Sequence, residues 1–200
     1  MIQTHIKEQH LELLISQSSK NDMPYCGDSY YYTVTDDYFI CVLADGLGSG
    51  QFAYESSSAV VDVVKDNPHL DVESLMKLCN EVLVNKRGAA VSILKADFRT
   101  HEFVYSSVGN IRFFCCLPDG KLLYPLPVTG YLSGRTQRYH TQFFKYEPQS
   151  NFILHSDGLQ MVGAKRVLKS HVPLQQTARL LLEENSAYSD DTTFLLGSLL

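Results

Sequence analysis

Short apolar runs separated by polar turns dominate the chain, and this pattern predicts mainly β-strands. Residues 30–34 and 38–42 flank the polar turn Thr-Asp-Asp and predict a hairpin, whose second strand has few polar positions and should be central. From residue 87 to 144 the pattern predicts an antiparallel meander. The predicted strands cover residues 11–18, 30–34, 38–44, 90–96, 102–108, 111–117, 121–124, 139–146, 152–156 and 192–199.

Helical spacing of apolar residues is clearest just after Asp71, which is placed to cap a helix. Residues 52–66 have alternating valines that would suit a strand, but their length and their Ala, Glu and Ser content favour a helix that ends at Asn67-Pro68. Residues 172–184 predict a late helix. The buried face after Asp71 is predicted to consist of Val72, Leu75, Met76, Cys79, Val82 and Leu83.

The order of these elements predicts an α+β fold of two stacked antiparallel sheets with helices outside. At 200 residues with 44% hydrophobic content, the chain can bury one proper core but hardly two, so residues 1–200 are expected to form a single domain. No heptad pattern or long exposed apolar stripe stands out, and we expect a monomer.

Composition narrows the choice of partners and compartment. The net charge of −5 and the absence of a Lys/Arg run argue against nucleic acid, because binding to a phosphate backbone requires a basic face. Five cysteines without Cys-x-x-Cys spacing suggest reduced thiols. Because the first residues are polar and no later stretch has the length of a membrane span, a cytoplasmic protein without a membrane partner is expected.

One aspartate stands in a setting that suggests chemistry. The apolar run over residues 39–44 leads into Asp45 and then into Gly46, Gly48 and Gly50, so backbone groups can approach a small charged ligand without obstruction by side chains. This arrangement suggests a cation or a phosphate. The glycine pattern alone is weak evidence, because it lacks both the Lys-Ser/Thr of a phosphate loop and the spacing of a dinucleotide fingerprint.

Further aspartates also stand at the ends of predicted strands: Asp28, Asp157, Asp190 and Asp191. If a fold gathers four acidic groups in one place, they repel one another, and divalent cations are needed to neutralise them. Ligation by oxygen alone suits Mg²⁺ or Mn²⁺ rather than zinc. The aspartates therefore predict a site for such cations.

These aspartates lie in an ordered set of motifs. Gly-Asp-Ser at residues 27–29, the Asp-Gly-Leu-Gly-Ser-Gly segment ending at Gly50, Ser-Asp-Gly-Leu at residues 156–159 and Asp-Asp-Thr-Thr at residues 190–193 resemble the metal-dependent protein phosphatases of the type-2C class. Within that class the chain resembles a small bacterial branch that acts on stressosomes, and this closer likeness is carried by residues 85–89, 107–113 and 124–134. The resemblance implies a four-layer αββα sandwich. The run between residues 124 and 152 is too short for the flap subdomain of larger relatives.

The resemblance also implies roles for the acidic residues. The carboxylate of Asp45 would bridge two Mn²⁺ or Mg²⁺ ions, and the carbonyl of Gly46 would bind one of them. Asp157 and Asp190 would be ligands of one metal, and Asp28 would act on the other, directly or through a water. These four aspartates form the predicted catalytic site.

Asp191 has a different predicted role, because adjacent strand residues point to opposite faces and seldom share one ion. It is expected to orient Asp190 or a metal-bound water. The implied reaction is in-line attack on the phosphate by a water that the two ions activate, so no covalent phosphoenzyme is needed. The implied substrates are phosphoserine and phosphothreonine on the STAS-domain scaffold proteins of the stressosome, and their hydrolysis would reset a general stress response.

Three departures from the family pattern leave an alternative open. Leu47 stands where larger relatives often have a histidine, Met-Pro-Tyr at residues 23–25 replaces a phosphate-binding arginine, and Asn85 stands near the position of an aspartate that serves a third metal. The alternative is a catalytically weak binding module with a phosphatase fold that regulates a partner. A phosphatase of small phosphomonoesters is a further, weaker possibility.

Three other polar residues have ordinary structural explanations. His155 is close to Asp157 in sequence, but a hydrogen-bonded core histidine is the commoner case. Arg87 is interpreted as a favourable charge at the end of a helix, and Arg112 as a residue on a strand surface. None of the three is included in the predicted site.

Overall fold

The computed structural model describes residues 2–161, 164–169, 172–185 and 190–200. Its strands are β1 (Ile2–Lys7), β2 (Leu11–Ser18), β3 (Asp28–Val34), β4 (Tyr38–Gly46), β5 (Ala89–Asp97), β6 (Glu102–Val108), β7 (Arg112–Cys116), β8 (Leu122–Leu123), β9 (Gln142–Lys145), β10 (Ser150–His155) and β11 (Thr192–Leu199). Its α-helices are α1 (Gln51–Asp66), α2 (Val72–Glu81), α3 (Ala164–Lys169) and α4 (Leu174–Glu184), and Lys20–Asp22 forms a short 3₁₀ turn.

The strands form two antiparallel sheets. Within the described ranges, the first sheet has the order β1-β2-β11-β10-β7-β8 and the second sheet has the order β3-β4-β5-β6-β9. Their facing sides bury the main hydrophobic core, which includes Leu13, Leu43, Phe113 and Phe152. Burial of this apolar surface is the principal force that holds the sheets together.

The helices cover the outer faces of both sheets. Helices α1 and α2 pack on the second sheet through a cluster that includes Val60 and Leu75, and α3 and α4 pack on the first sheet through a cluster that includes Leu168 and Leu181. The result is the predicted four-layer αββα sandwich. None of the helices in the described part of the chain is both long enough and apolar enough to cross a membrane.

Helix α2 forms as its sequence predicts. The side chain of Asp71 accepts a hydrogen bond of 2.9 Å from the backbone N–H of Ser74, which satisfies one of the free donors at the start of the helix. The predicted face is buried at Val72, Leu75, Met76 and Cys79. Residues 52–66 are also helical, so the strand alternative for that segment was wrong.

The predicted meander over residues 87–144 was wrong. Strands β5 and β6 pair in the second sheet, but the chain then crosses at residues 109–111, and β7 pairs with β10 and β8 in the first sheet. The local alternation of β7 suits either sheet, because both sheets bury one face in the same core. The choice depends on pairing with β10, which lies far along the chain.

Several boundaries also differ from the prediction. Strand β9 covers only Gln142–Lys145 of the predicted residues 139–146, and β10 ends at His155, so Asp157 lies in the following turn. Strand β1 was not predicted, because an edge strand contributes few apolar residues to a sequence pattern. Helix α3 was also missed.

Candidate metal centre

The topology brings acidic residues from both sheets to one end of the sandwich. Asp28 begins β3 and stands directly opposite Asp45 in the antiparallel pair with β4. Ser156, in the turn after β10 of the first sheet, donates a hydrogen bond of 2.7 Å from its hydroxyl to Oδ2 of Asp28. The same hydroxyl accepts a hydrogen bond of 2.9 Å from the backbone N–H of Thr193 in β11. Ser156 therefore ties the acidic ends of the two sheets together.

Asp28 is the most buried of the four predicted catalytic aspartates. Its residue is only 2% exposed, and its Oδ1 atom has no hydrogen-bond partner among the described residues. Burial, and then the negative charge of Asp45, hold the pKa of Asp28 well above its usual value. A buried carboxylate oxygen without a donor is costly, and a bound cation would remove that cost.

Asp45 is surrounded by like charges. Burial, followed by the charges of Asp157, Asp190 and Asp191, raises the pKa of Asp45 to about 7. Burial and then the charge of Asp190 also raise the pKa of Asp157. These carboxylates therefore lie close enough to disfavour one another's ionisation, as the sequence analysis expected of a site that holds cations.

Asp157 has a neighbour that no sequence motif indicates. The side-chain amide of Asn110 donates a hydrogen bond of 2.6 Å to Oδ2 of Asp157. Asn110 lies where the chain crosses from β6 to β7, so the crossover that contradicts the meander also brings this amide to the site. Residues 107–113 contributed to the family resemblance, but nothing in that motif pointed to a contact with residue 157.

Asp190 and Asp191 have different surroundings. Asp190 is exposed. Its Oδ1 atom accepts a hydrogen bond of 3.0 Å from the backbone N–H of Asp191 and lies 3.6 Å from the Lys20 ammonium. Asp191 is buried. One of its carboxylate oxygens accepts a hydrogen bond of 2.8 Å from the backbone N–H of Lys20, and the other accepts one of 2.9 Å from the backbone N–H of Gly27. The carboxylate of Asp191 thus holds the loop that leads to Asp28, while its backbone N–H contacts Asp190.

Two glycines allow the loops of the site to approach other backbone closely. A Cβ atom on Gly46 would overlap the carbonyl of Ala53 in α1, and a Cβ on Gly158 would overlap the carbonyl of Asp191. The loop after Asp45 is further fixed by a hydrogen bond of 3.0 Å from the Leu47 N–H to the Gly88 carbonyl. Glycine is required here because the segments pack backbone against backbone.

The donor set fits a hard divalent cation. All four predicted catalytic side chains offer carboxylate oxygens, one buried oxygen lacks a donor, and the carboxylates repel one another. Over the described ranges, no three His, Cys, Asp or Glu side chains are drawn together into a complete metal-binding group.

His155 and Arg112 contact groups other than the predicted ligands. His155 is buried with Nδ1 2.7 Å from the carbonyl of Ser156, its ring lies against Phe114, and burial lowers its pKa. The guanidinium of Arg112 donates to the hydroxyl of Tyr124. These contacts agree with structural roles for both residues.

Comparison with known proteins assigns the family. The family model described as Stage II sporulation protein E (SpoIIE) matches residues 35–198. The chain belongs to this family. It is also similar to the phosphoserine phosphatase RsbX of Bacillus subtilis strain 168, with 42% identity over 199 residues and full coverage of both chains.

Solved structures agree with this assignment. A crystal structure of RsbX in complex with magnesium matches with a TM-score of 0.96, 42% identity and full coverage of both chains. A structure from a study of the bacterial stressosome matches with a TM-score of 0.84 and 22% identity, over 94% of this chain and 100% of that one. These matches confirm the predicted family resemblance and the predicted fold.

A more distant structure shares the fold. The catalytic domain of the serine/threonine phosphatase PstP, solved with two manganese ions, matches with a TM-score of 0.75 and 16% identity, over 96% of this chain and 99% of that one. At this identity the match establishes the architecture alone. The two-sheet sandwich of the present chain is thus the architecture that this domain of PstP also has.

Proposed function

We propose that this chain is a metal-dependent phosphatase that hydrolyses phosphoserine or phosphothreonine on proteins, and that all 200 residues form one such domain. The observation that carries the proposal is the meeting of Asp28, Asp45 and Asp157 from two sheets, with their pKa values raised by burial and by neighbouring carboxylates. Perturbed carboxylates gathered in this way are typical of functional sites. The family assignment and the likeness to RsbX give the class of reaction.

The proposed ligands of two divalent cations, Mn²⁺ or Mg²⁺, are the carboxylates of Asp28, Asp45, Asp157 and Asp190 with the carbonyl of Gly46. When bound, such ions neutralise the carboxylates, activate a water and offset the charge of the phosphate. The similarity to a magnesium complex of RsbX supports the choice of a divalent cation. Asp45, which pairs opposite Asp28 and has its pKa raised by burial and then by the charges of Asp157 and Asp190, is the proposed bridging residue.

Other residues of the chain hold these ligands in place. Ser156 fixes one oxygen of Asp28, and Asn110 fixes one oxygen of Asp157. Asp191 anchors the loop before Asp28 through the N–H groups of Lys20 and Gly27. Support of this kind orients metal ligands and commonly changes metal affinity by about 10–100-fold when it is removed.

The cysteines favour this chemistry over a thiol nucleophile. All five are free, and burial raises the pKa of both Cys79 and Cys115 to about 12. Burial also raises the pKa of Cys26, the half-buried thiol closest in sequence to Asp28. A nucleophilic cysteine needs a low pKa, so these thiols are unsuited to attack on phosphate.

The proposed substrates are phosphorylated STAS-domain proteins of a stressosome, as the likeness to RsbX suggests, and their dephosphorylation would reset a stress response. We further propose that the protein acts as a monomer in the cytoplasm, where free thiols remain reduced. The net charge of −5 supports a protein substrate rather than nucleic acid.

The direct test is phosphate release from a phosphoserine peptide and from p-nitrophenyl phosphate by the purified protein with Mn²⁺. We expect turnover that EDTA abolishes and that Asp45→Asn lacks. Phosphate release equal to that of the EDTA control would reject the phosphatase. If Mn²⁺ still raised the melting temperature in that case, the binding-module alternative would be favoured.

A further inference from the structure

Exposed aromatic side chains border the candidate metal centre. Tyr25 is 41% exposed, Phe52 is 59% exposed and Tyr54 is 42% exposed. The rings of Tyr25 and Tyr54 lie next to each other, with 5.7 Å between their centroids. Single exposed apolar residues are ordinary, but grouped aromatic residues beside a site are typical of binding surfaces.

This group is continuous with the acidic site. Tyr54 shares with Asp28 and Cys26 the lining of a cavity of about 240 Å³. Phe52 lies in the first turn of α1, which begins directly after the glycine loop that follows Asp45. Phe52 and Tyr54 stand two residues apart in α1 and line different cavities, so a bound chain would contact both by lying across the glycine loop beside the acidic site.

A positive charge is held on the other side of the glycine loop. The guanidinium carbon of Arg87 lies 5.0 Å from the centroid of the Phe52 ring. Its Nη1 atom occupies space beside Gly48, 2.6 Å from where a Cβ would stand, and the φ of +95° at Gly48 also favours glycine. Arg87 is thus placed by the aromatic ring and by the loop, rather than serving only as a charge at a helix end.

Arg87 forms no ion pair within the described residues, and it lines a cavity of about 470 Å³ with Phe52, Lys86 and Glu55, whose carboxylate accepts a hydrogen bond of 2.8 Å from the side-chain amide of Gln51. An unpaired guanidinium at the edge of an acidic centre can pair with a carboxylate on an approaching chain. Contact with the Phe52 ring and with the loop at Gly48 restrains the guanidinium, which lowers the entropy lost on binding.

We propose that Tyr25, Phe52, Tyr54 and Arg87 form a docking surface for the peptide segment around the phosphoserine of a protein substrate. The aromatic rings bind an apolar side chain of that segment, and Arg87 pairs with an acidic side chain. This inference rests on the proposed phosphatase function and adds the means of substrate selection. A small phosphomonoester carries neither side chain and gains nothing from this surface.

The test compares three substrates in the presence of Mn²⁺. Two phosphoserine peptides of equal length are used, one with Leu and Glu beside the phosphoserine and one with only Gly and Ser, together with p-nitrophenyl phosphate. Wild type should prefer the Leu/Glu peptide by about tenfold in kcat/KM, which corresponds to about 1.4 kcal/mol and is within the range of a single interface anchor. The combined Phe52→Ala and Tyr54→Ala variant should lose about tenfold in the ratio of that peptide to p-nitrophenyl phosphate.

Matched controls lie at the far side of the second sheet. Phe143 in β9 is an aromatic residue with 64% exposure, and Arg99 is an exposed arginine after β5. Phe143→Ala and Arg99→Gln should leave the substrate ratio at the wild-type value. Arg87→Glu should reverse the charge preference, so that a Leu/Lys peptide becomes better than the Leu/Glu peptide.

Equal kcat/KM for the two peptides with wild type would overturn the docking surface, as would an unchanged substrate ratio in the Phe52/Tyr54 variant. The absence of a reversal with Arg87→Glu would remove Arg87 from the surface. Failure of the phosphatase function gives a different result, because wild type would then turn over none of the three substrates.

Discussion

The two ends of the second sheet both carry aspartates, but they accommodate the negative charge in opposite ways. At the end where β5 turns towards β6, Asp97 accepts hydrogen bonds of 2.9 Å and 2.8 Å from the N–H groups of Arg99 and Thr100. The bond from Thr100 is the main cause of a lowered pKa at Asp97. Asp37 lies 3.5 Å from the Arg99 guanidinium. These carboxylates are satisfied by the chain itself.

At the other end, burial and like charges raise the pKa values of Asp28, Asp45 and Asp157. The same residue type is stabilising at the Asp97 end of the second sheet and costly at the opposite end, where Asp28 and Asp45 lie near Asp157 from the turn after β10 of the first sheet. The difference lies in the surroundings, since backbone N–H groups and a cation favour the ionised form, whereas burial beside other carboxylates disfavours it. The carboxylates at the end with Asp28 and Asp45 therefore need a cation from outside the chain to offset their charge.

The strongest test of this contrast neutralises one aspartate at each end. Asp45→Asn should reduce phosphatase activity by more than about 10²-fold, because removing a metal ligand should exceed the effect of removing its support. It should also abolish the rise in melting temperature that Mn²⁺ gives wild type and raise the stability of the metal-free protein. Thermal melts with and without Mn²⁺ measure both. Asp97→Asn should keep the Mn²⁺ shift, and equal shifts in both variants and wild type would contradict the assignment of Asp45.

The pH dependence of the metal-free protein should show the same contrast. The pKa of Asp45 is raised to about 7 in the folded state, against about 3.9 in an unfolded chain. Its contribution to stability is therefore fully present below about pH 4 and is lost as the pH rises through about 7. Metal-free melting temperatures should fall over this range, and fall less in Asp45→Asn.

With Mn²⁺ the trend should reverse, because cation binding requires ionised carboxylates and strengthens as the pH rises. Melts at pH 5, 6, 7 and 8, with EDTA or Mn²⁺, test both directions. An identical pH slope in metal-free wild type and Asp45→Asn would show that Asp45 does not titrate as described.

Two adjacent residues should separate metal binding from loop anchoring. Asp191→Asn weakens the hydrogen bonds to the Lys20 and Gly27 N–H groups, and we expect a loss of about 1–3 kcal/mol in the free energy of unfolding. Most of the Mn²⁺ shift should remain. Asp190→Asn should do the reverse, with little loss of stability and a reduced Mn²⁺ shift. Urea denaturation without metal measures the loss of stability, and thermal melts with Mn²⁺ measure the metal-induced shift. A larger loss of stability in Asp190→Asn than in Asp191→Asn would refute the distinction.

The smallest effect on stability and activity is expected for Asp71, whose carboxylate accepts a hydrogen bond from the first turn of α2. Asp71→Ala removes the cap of α2 and should lower the free energy of unfolding by about 1 kcal/mol. Activity and the Mn²⁺ shift should stay at the wild-type level, because α2 packs on the second sheet away from the predicted ligands. A change in Mn²⁺ affinity on this substitution would mean that α2 influences the site.

Much of the fold was predictable from local patterns. Strands β2 (Leu11–Ser18) and β11 (Thr192–Leu199) have their predicted bounds, and the buried face of α2 lies at the predicted residues. These elements follow from the spacing of apolar residues and from a capping aspartate, which act over a few positions of the chain. The glycines after Asp45 were predicted to let backbone approach a small charged ligand, and the structure adds that Gly46 packs against the carbonyl of Ala53.

The tertiary structure alone decided which strands share a sheet and which groups meet at the site. The pairing of β7 with β10, the bond from Asn110 to Asp157 and the position of Arg87 on Phe52 all join residues far apart in sequence. The pKa values of the aspartates belong to this class as well, because they depend on burial and on the distances between charges. A local pattern determines the period of an element and the side that it buries, whereas contacts between distant segments depend on how the complete core packs.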